Sequence, residues 1–129
     1  SKGRGIDMAA GHKVNLEEKF GRFAELWSPK SVAEVNDAYV KLVKIKGEFV
    51  WHRHGLEDEV FLVVRGRIVV ELRDGDVALG PGELVVVARG VEHRPVAEHE
   101  AEVLLLEPTS TVSTGDVRDH RTRDVLERI

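Results

Sequence analysis

The sequence predicts an all-β fold, in the form of an antiparallel sandwich or barrel. Valine is unusually frequent, with 21 residues in the chain and 15 of them between Val40 and Val103. Because a β-branched side chain packs well on a pleated strand, this excess favours strands. Short apolar runs also alternate with turn residues at close intervals, and no helical pattern separates them. Parallel strands need long crossover connections, so this spacing indicates antiparallel pairing.

One segment has helical periodicity, and it precedes the predicted strands. Asn15 and Glu18 match a capping box at its start, while Gly21 weakens the helical pattern, so an irregular arm is the alternative. Pro29 ends the segment. Four apolar residues recur on one face of it, at the spacing of an α-helix: Leu16, Phe20, Phe23 and Trp27.

The expected strands follow Pro29 in close succession. Asp74-Gly75 is the strongest hairpin signal, because glycine readily adopts the positive φ of a tight turn. The predicted strands are Val32–Val35, Ala38–Lys46, Glu48–His54, Val60–Val64, Ile68–Arg73, Val77–Leu79, Leu84–Ala88 and Ala101–Glu107.

The composition excludes several classes of protein. Lysine and arginine number 19 against 23 acidic residues, a net charge of -4 that argues against a nucleic-acid partner. No stretch approaches the roughly 18 apolar residues of a transmembrane helix, and no signal peptide is recognisable, so we expect a cytoplasmic protein without a membrane partner. Because the chain has no cysteine, a metal would be bound by nitrogen and oxygen atoms, and six histidines are available for this.

A histidine-rich stretch is the most informative part of the sequence. Side chains alternate along a strand, so His52 and His54 should point to one face together. Glu59 opens the next predicted strand, and His93 follows a later turn. Each of these residues taken singly is common on a protein surface, but three imidazoles and a carboxylate together would suit a transition metal ion.

The spacing of these residues resembles the first motif of the cupin superfamily. The matching positions run Gly47…His52-x-His54…Glu59…Gly66, with four residues between His54 and Glu59 and six between Glu59 and Gly66. Gly47 precedes His52 by four intervening residues, one fewer than the commonest pattern.

A second stretch resembles the second cupin motif. It runs Gly82…Ala88-x-Gly90-x-x-His93, with Ala88 where the family usually has proline and Ala97 where it has asparagine. Neither departure removes a usual metal ligand. The joint match is typical of small single-domain bacterial cupins.

The resemblance implies a cupin-type jelly-roll barrel, also called a double-stranded β-helix, with a short N-terminal helix or arm and a C-terminal tail. We expect a flexible N-terminus over residues 1–14, whose first seven residues are interpreted as a remnant of an expression vector. The helix or arm then covers residues 15–31, the barrel covers 32–108, and the tail covers 109–129. The charge of the tail is nearly balanced, and we interpret it as a solvated helix or mobile arm.

The resemblance also implies a cofactor and a partner. All four positions that match the family's metal ligands are intact: His52, His54, Glu59 and His93. They would bind one divalent transition metal ion, either Fe, Mn, Ni, Co, Cu or Zn. Cupins commonly cover edge strands such as Val32–Val35 by dimerising, so we expect a homodimer.

A pocket beside the metal would bind a small molecule. Phe61 and Val63 share the alternation of Glu59 and should line the cavity, and Arg94 is a candidate anion anchor at its mouth. We predict a metalloenzyme that acts on a small organic molecule, with oxygenase-type or isomerase-type chemistry. The alternative is a non-catalytic module that binds or senses a metal or a small molecule.

Overall fold

The computed structural model describes residues 10–118, 120, 122 and 126–129. Within them the chain forms one short helix, α1 (Leu16–Phe20), and eight strands, which confirms the all-β prediction. Most of the flexible N-terminus predicted over residues 1–14 lies outside the described residues. The strands are β1 (Lys30–Val35), β2 (Ala38–Glu48), β3 (Glu59–Arg65), β4 (Ile68–Leu72), β5 (Gly75–Leu79), β6 (Leu84–Val87), β7 (His93–Pro108) and β8 (Glu127–Arg128).

The long strand β7 organises the sheet. It has 16 residues, and β2 pairs antiparallel along most of one edge. Two shorter strands pair with β7 in succession: β3 with its C-terminal half, where Val60 lies opposite Leu106, and β4 with its N-terminal half, where Leu72 lies opposite His93. The strand therefore connects the region around His93 to the first residues of β3.

The remaining strands extend this arrangement at its edges. The hairpin partner of β4 is β5, and β6 pairs with β3. On the other side β1 pairs with β2, and β8 adds to β1 in parallel. The hydrogen-bonded sheet formed by the described residues does not close on itself. No helix in this part of the chain has the length and hydropathy needed to cross a membrane.

Strand alternation builds two hydrophobic clusters. On β7, Ala101, Val103, Leu105 and Glu107 point inward, and the residues between them point outward. The second cluster lies on the outer face of β2, where the N-terminal arm covers it; its fully or nearly buried members are Phe20, Phe23, Val32 and Leu42. The first cluster fills the interior and contains Val43, Ile45, Phe61, Val63, Ile68, Val70, Leu79, Val87, Ala97, Ala101, Val103 and Leu105.

The N-terminal segment is a short helix followed by an irregular arm. The Asn15 side chain caps α1 by accepting a hydrogen bond of 3.0 Å from the Glu18 N–H. The Glu18 carboxylate pairs with Arg22 and does not complete the capping box. Although the helix ends at Phe20, the arm still buries Phe23. The apolar spacing thus identified the residues that face inward and overestimated the helix length.

The predicted strand Glu48–His54 is wrong, because the ladder of β2 stops at Glu48 and the next ten residues form a loop. The predicted strand Ala101–Glu107 is too short, because β7 begins at His93. A polar, solvent-facing run over residues 98–100 interrupts its apolar alternation.

The C-terminal segment also differs from the predicted solvated helix or mobile arm. Thr111 and Thr114 are buried, and Glu127–Arg128 form β8. The part of the tail at residues 119, 121 and 123–125 lies outside the described residues.

Substituting Gly66 tests the turn that joins β3 to β4. Gly66 has a φ of 87°, and a Cβ added there would lie 3.1 Å from the Cα of Ala101 and from the carbonyl oxygen of Glu100. We expect Gly66→Ala to lower the free energy of unfolding by about 1–3 kcal/mol through backbone strain. Gly82→Ala is the control, since its φ is 82° but nothing lies within 4 Å of the added Cβ. Urea denaturation measures both; equal losses would contradict a steric contribution at Gly66.

Candidate metal centre

The four residues with the motif spacing converge on one point in the interior. His52, His54, Glu59 and His93 are each at most 4% exposed. One ligand atom from each residue lies within 4.8 Å of those from the others. Their burial is unusual, because histidine and glutamate are seldom buried together without a partner or a metal.

Backbone pairing brings two of the histidines together across the loop. The N–H of His52 donates to the carbonyl of His93 at 3.0 Å, and the N–H of His93 donates back at 2.8 Å. His54 lies two residues further along the loop and points the same way, while Arg53 is exposed between them. The side chains therefore alternate as predicted for a strand, although this segment is held by a single backbone bridge between His52 and His93 and not by a continuous run of strand pairing.

Backbone carbonyls orient two of the imidazoles. The Nδ1 atom of His52 lies 2.9 Å from the carbonyl of Val50, and the Nδ1 atom of His93 lies 2.9 Å from the carbonyl of Val91. A proton on Nδ1 satisfies each carbonyl and leaves Nε2 with a free lone pair. Both rings are thus held in the tautomer that a metal ligand needs.

His54 lacks such a partner. Neither of its ring nitrogens makes a hydrogen bond among the described residues, although Nε2 lies 3.3 Å from Oε1 of Glu59. A buried nitrogen without a partner is costly unless a ligand satisfies it. The four side chains together supply three nitrogens and one carboxylate, which suits a divalent transition metal ion.

The protonation states also suit metal binding. Burial and the neighbouring His93 lower the pKa of His52 to about 4, so this imidazole is neutral near pH 7. Burial raises the pKa of Glu59, but the close contacts with the side chains of Glu107, His54 and His93 outweigh it and hold the pKa well below the usual value. The site therefore presents a neutral imidazole and an ionised carboxylate, the forms that coordinate a metal.

A fifth buried group at this site, Glu107, was not predicted from the sequence. Its side chain is 2% exposed, and its Oε1 atom lies 2.7 Å from Nζ of the equally buried Lys41. Burial and the adjacent Glu59 carboxylate raise the pKa of Glu107 well above the usual value, while Lys41 acts in the opposite direction. One signal was present in the sequence: Glu107 continues the inward alternation of Val103 and Leu105.

A cavity of about 40 Å³ adjoins the cluster. One water molecule needs about 10–15 Å³ by the same measure, so the space holds only a few atoms. Phe61 lines this cavity, while Val63 lies in the hydrophobic interior and is not part of its wall. The lining consists of Trp27, Pro29, Val43, Ile45, Phe49, His52, Glu59, Phe61, Pro95, Val103, Leu105, Glu107 and Ser113.

Arg94 lies away from this cavity. Its guanidinium is 2.6 Å from Oε1 of Glu71 and 3.1 Å from Oε2 of Glu48, and it approaches the ring of Trp51. Successive residues of a strand point to opposite faces, so the neighbour of His93 must face outward. The structure therefore does not place Arg94 at the cavity mouth.

The C-terminal segment packs directly on the histidine loop. The N–H of Arg53 donates to Oδ1 of Asp116, and the N–H of Asp116 donates to the carbonyl of Arg53, both at 3.1 Å. Gly115 passes so close to this loop that an added Cβ would lie 2.3 Å from the Arg53 carbonyl oxygen and 2.9 Å from Cδ2 of His52. Residues beyond β7 thus help to fix a candidate ligand.

Substituting Gly115 tests this contact. We expect Gly115→Ala to weaken metal binding by roughly tenfold, because the displaced loop carries His52 and supporting contacts of metal ligands typically contribute 10–100-fold. Gly82→Ala serves as the control, since it shares a positive φ and meets no neighbour within 4 Å. Calorimetric metal titration of both variants is the measurement. Wild-type affinity in Gly115→Ala would show that this packing is unimportant for the site.

Comparison with known proteins identifies the family. The family model described as "Cupin domain" matches residues 39–108, more than half of the chain. The chain belongs to the cupin family. Its fold is accordingly a cupin jelly roll with an open sheet among the described strands.

Two solved structures resemble the chain along most of its length. A cupin-2 domain protein from Shewanella frigidimarina is 45% identical, with a TM-score of 0.73, covering 74% of this chain and 93% of that one. A Neisseria meningitidis protein is 32% identical, with a TM-score of 0.70, covering 75% of this chain and 99% of that one.

A curated relative matches over a shorter span. An uncharacterized Bacillus subtilis protein, YdbB, is 35% identical over 65 residues, which is 50% of this chain and 58% of that protein. The cupin therefore matches little more than half of the length of this relative.

Proposed function

We propose that this cupin binds one divalent transition metal ion through His52, His54, Glu59 and His93, and that it is a metalloenzyme acting on a small organic molecule. The observation that carries the proposal is the convergence of four buried ligand atoms within 4.8 Å. The unpartnered nitrogens of His54 support it, because a bound ion would satisfy one of them. A six-coordinate ion held by four protein ligands would leave two positions for other molecules.

The residues around the cluster favour chemistry on a small, partly apolar substrate. When bound, the ion supplies a Lewis acid and, if redox-active, a source of electrons at the cavity wall. Phe49, Phe61 and Trp27 form apolar walls of this cavity. Lewis-acid polarisation would support isomerase-type chemistry and a redox-active ion would support oxygenase-type chemistry.

A non-catalytic module that binds or senses a metal or small molecule is the second candidate. The small cavity volume, about 40 Å³, favours it, because the space beside the cluster suits a few atoms more readily than a metabolite. In that case a bound metal would stabilise the fold, or its binding would allow the protein to sense the metal concentration.

Metal analysis followed by turnover assays separates these functions. Protein purified without chelators and without added metal should contain close to one transition metal ion per chain by mass spectrometry of the elements. Loaded with Fe, Mn, Ni, Co, Cu or Zn in turn, it is then tested against small carbonyl and hydroxy compounds, with and without oxygen. Turnover supports the enzyme. Stoichiometric metal without turnover of any compound favours the binding module, and protein that binds none of the six ions contradicts both the metalloenzyme and a metal-binding module.

The homodimer and the cytoplasmic location stay predictions. Light scattering at micromolar concentration tests the first, and a mass equal to one chain would contradict it.

A further inference from the structure

We propose that Ser113 is a ligand-contacting residue, and that its hydroxyl donates a hydrogen bond to a short carboxylate bound in the cavity beside the metal centre. The proposal rests on the metal site proposed above and names the class of small molecule that this site would bind. Ser113 lies in the C-terminal segment, outside the residues 39–108 that match the family model, so the family motifs do not predict this contact.

A β-turn carries Ser113 at the edge of the cavity. The N–H of Gly115 donates to the carbonyl of Val112 at 2.8 Å, which places Ser113 at the first central position of the turn. The two hydrogen bonds between Arg53 and Asp116 fasten the end of this turn to the histidine loop. The turn is therefore held in place from both sides.

The hydroxyl of Ser113 is buried and has no hydrogen-bond partner among the described residues. The residue lines the same cavity as His52 and Glu59. A buried polar group without a partner costs free energy, and native structures contain few of them. An oxygen atom of a ligand in the cavity would supply the missing partner.

Ser113 is also the one side-chain donor left free in the described wall of the cavity. The indole N–H of Trp27 donates to the carbonyl of Lys46 at 3.0 Å. The Nδ1 proton of His52 is directed at the carbonyl of Val50. The other lining residues are apolar or carry carboxylates, which accept hydrogen bonds only. The ligand atom that faces Ser113 is therefore an acceptor, such as a carbonyl or carboxylate oxygen.

The charges around the cavity favour a carboxylate over a neutral carbonyl compound. A divalent ion bound by neutral imidazoles and the Glu59 carboxylate keeps a net positive charge. Glu107 does not cancel this charge, since Nζ of Lys41 lies 2.7 Å from its Oε1 atom and balances it. Opposite charges attract more strongly in a buried site than in water, so the site would prefer a monoanion.

The cavity volume limits the length of this carboxylate. The volume is about 40 Å³, and one water molecule needs about 10–15 Å³ by the same measure, so about three or four non-hydrogen atoms fit. Acetate has this size. The rings of Trp27 and Phe49 stack at a centroid distance of 4.7 Å and offer an apolar wall to its methyl group.

Acetate titration of the Co²⁺-loaded, full-length protein tests this contact, with the visible spectrum of the bound ion as the signal. We expect Ser113→Ala to lower the affinity for acetate about 10–100-fold, as the loss of a hydrogen bond to a charged group typically does. The affinity for Co²⁺ should stay at the wild-type value. The urea midpoint should not fall, because the lost hydroxyl has no partner among the described residues.

Thr111→Val is the matched control. The Oγ1 atom of Thr111 is also buried without a partner among the described residues, but Thr111 does not line the cavity. This variant should bind Co²⁺ and acetate as the wild type does. Acetamide controls for the charge of the ligand, since it has the size of acetate and is neutral, and it should bind the wild type more weakly.

The outcomes separate this contact from the metal site itself. Equal acetate affinity in the wild type and Ser113→Ala, an equal loss in Thr111→Val, or a parallel loss of Co²⁺ affinity would overturn the role of Ser113 while the metal site stands. A wild type that binds Co²⁺ but no acetate, or acetamide as tightly as acetate, would overturn the carboxylate. A wild type that binds no Co²⁺ would overturn the metal site and the ligand site with it.

Discussion

Replacing His93 by alanine is expected to reduce the affinity for a divalent transition metal by more than about a hundredfold, since even a supporting partner of a ligand contributes 10–100-fold. His93 is fully buried, and the centroid of its ring lies 4.3 Å from that of His52 and 5.5 Å from that of His54. Its removal leaves two nitrogens and one carboxylate, with a void where the ligand stood. Equilibrium dialysis against Mn²⁺, Zn²⁺ or Co²⁺, with element analysis, measures the loss.

A matched histidine controls for the removal of an imidazole as such. His99 lies on the same strand as His93, and its side chain is 89% exposed. His99→Ala should bind metal as the wild type does, and circular dichroism should show that both variants keep their strands. Stoichiometric metal at wild-type affinity in His93→Ala would remove this residue from the site.

Acidifying the metal-free protein from pH 7 to pH 4 is expected to lower its free energy of unfolding by about 3 kcal/mol relative to a His52→Gln variant. Burial and His93 lower the pKa of His52 from 6.5 to about 4 in the folded state. A group whose folded pKa is lowered contributes stability above its unfolded pKa and loses it as the pH falls towards the folded value. The loss should therefore develop between about pH 6.5 and pH 4.

The comparison with His52→Gln is needed because Glu107 changes the free energy of unfolding with pH in the opposite direction. Its raised pKa favours the folded state at low pH, and this contribution is lost as the pH rises. It is present in both proteins and cancels in the difference. Urea denaturation at half-unit steps of pH gives the two curves. Parallel curves across this range would contradict the burial of a neutral imidazole at position 52.

The sequence could predict the centre of the site because the motif encodes it locally. His52 and His54 point the same way through simple alternation, and this survives although their segment is a loop. Glu59 begins a strand, but its place beside the histidines, like that of the distant His93, was implied by the resemblance to the cupin motifs.

Contacts between distant segments could not be predicted from the sequence. Glu107 meets Glu59 only because β7 pairs with β3, and a register is not visible in either strand alone. The parallel pairing of the two-residue β8 with β1 has no local pattern at all. Polar residues that face water concealed the start of β7 at His93 in the sequence pattern. For the same reason, the outward direction of the Arg94 side chain could not be predicted.

The unequal support of the three imidazoles bears on which ion the proposed centre would select. His52 and His93 are each tied to a carbonyl, whereas His54 lacks a hydrogen-bond partner among the described residues and borders an open hollow beside Gly115 and Asp116. Two nitrogens oriented by carbonyls and one without such a contact would accommodate ions of different radius, so we expect a bound ion to be selected weakly by size. We therefore expect the ion found in the purified cupin to reflect the supply of metals in the host cell.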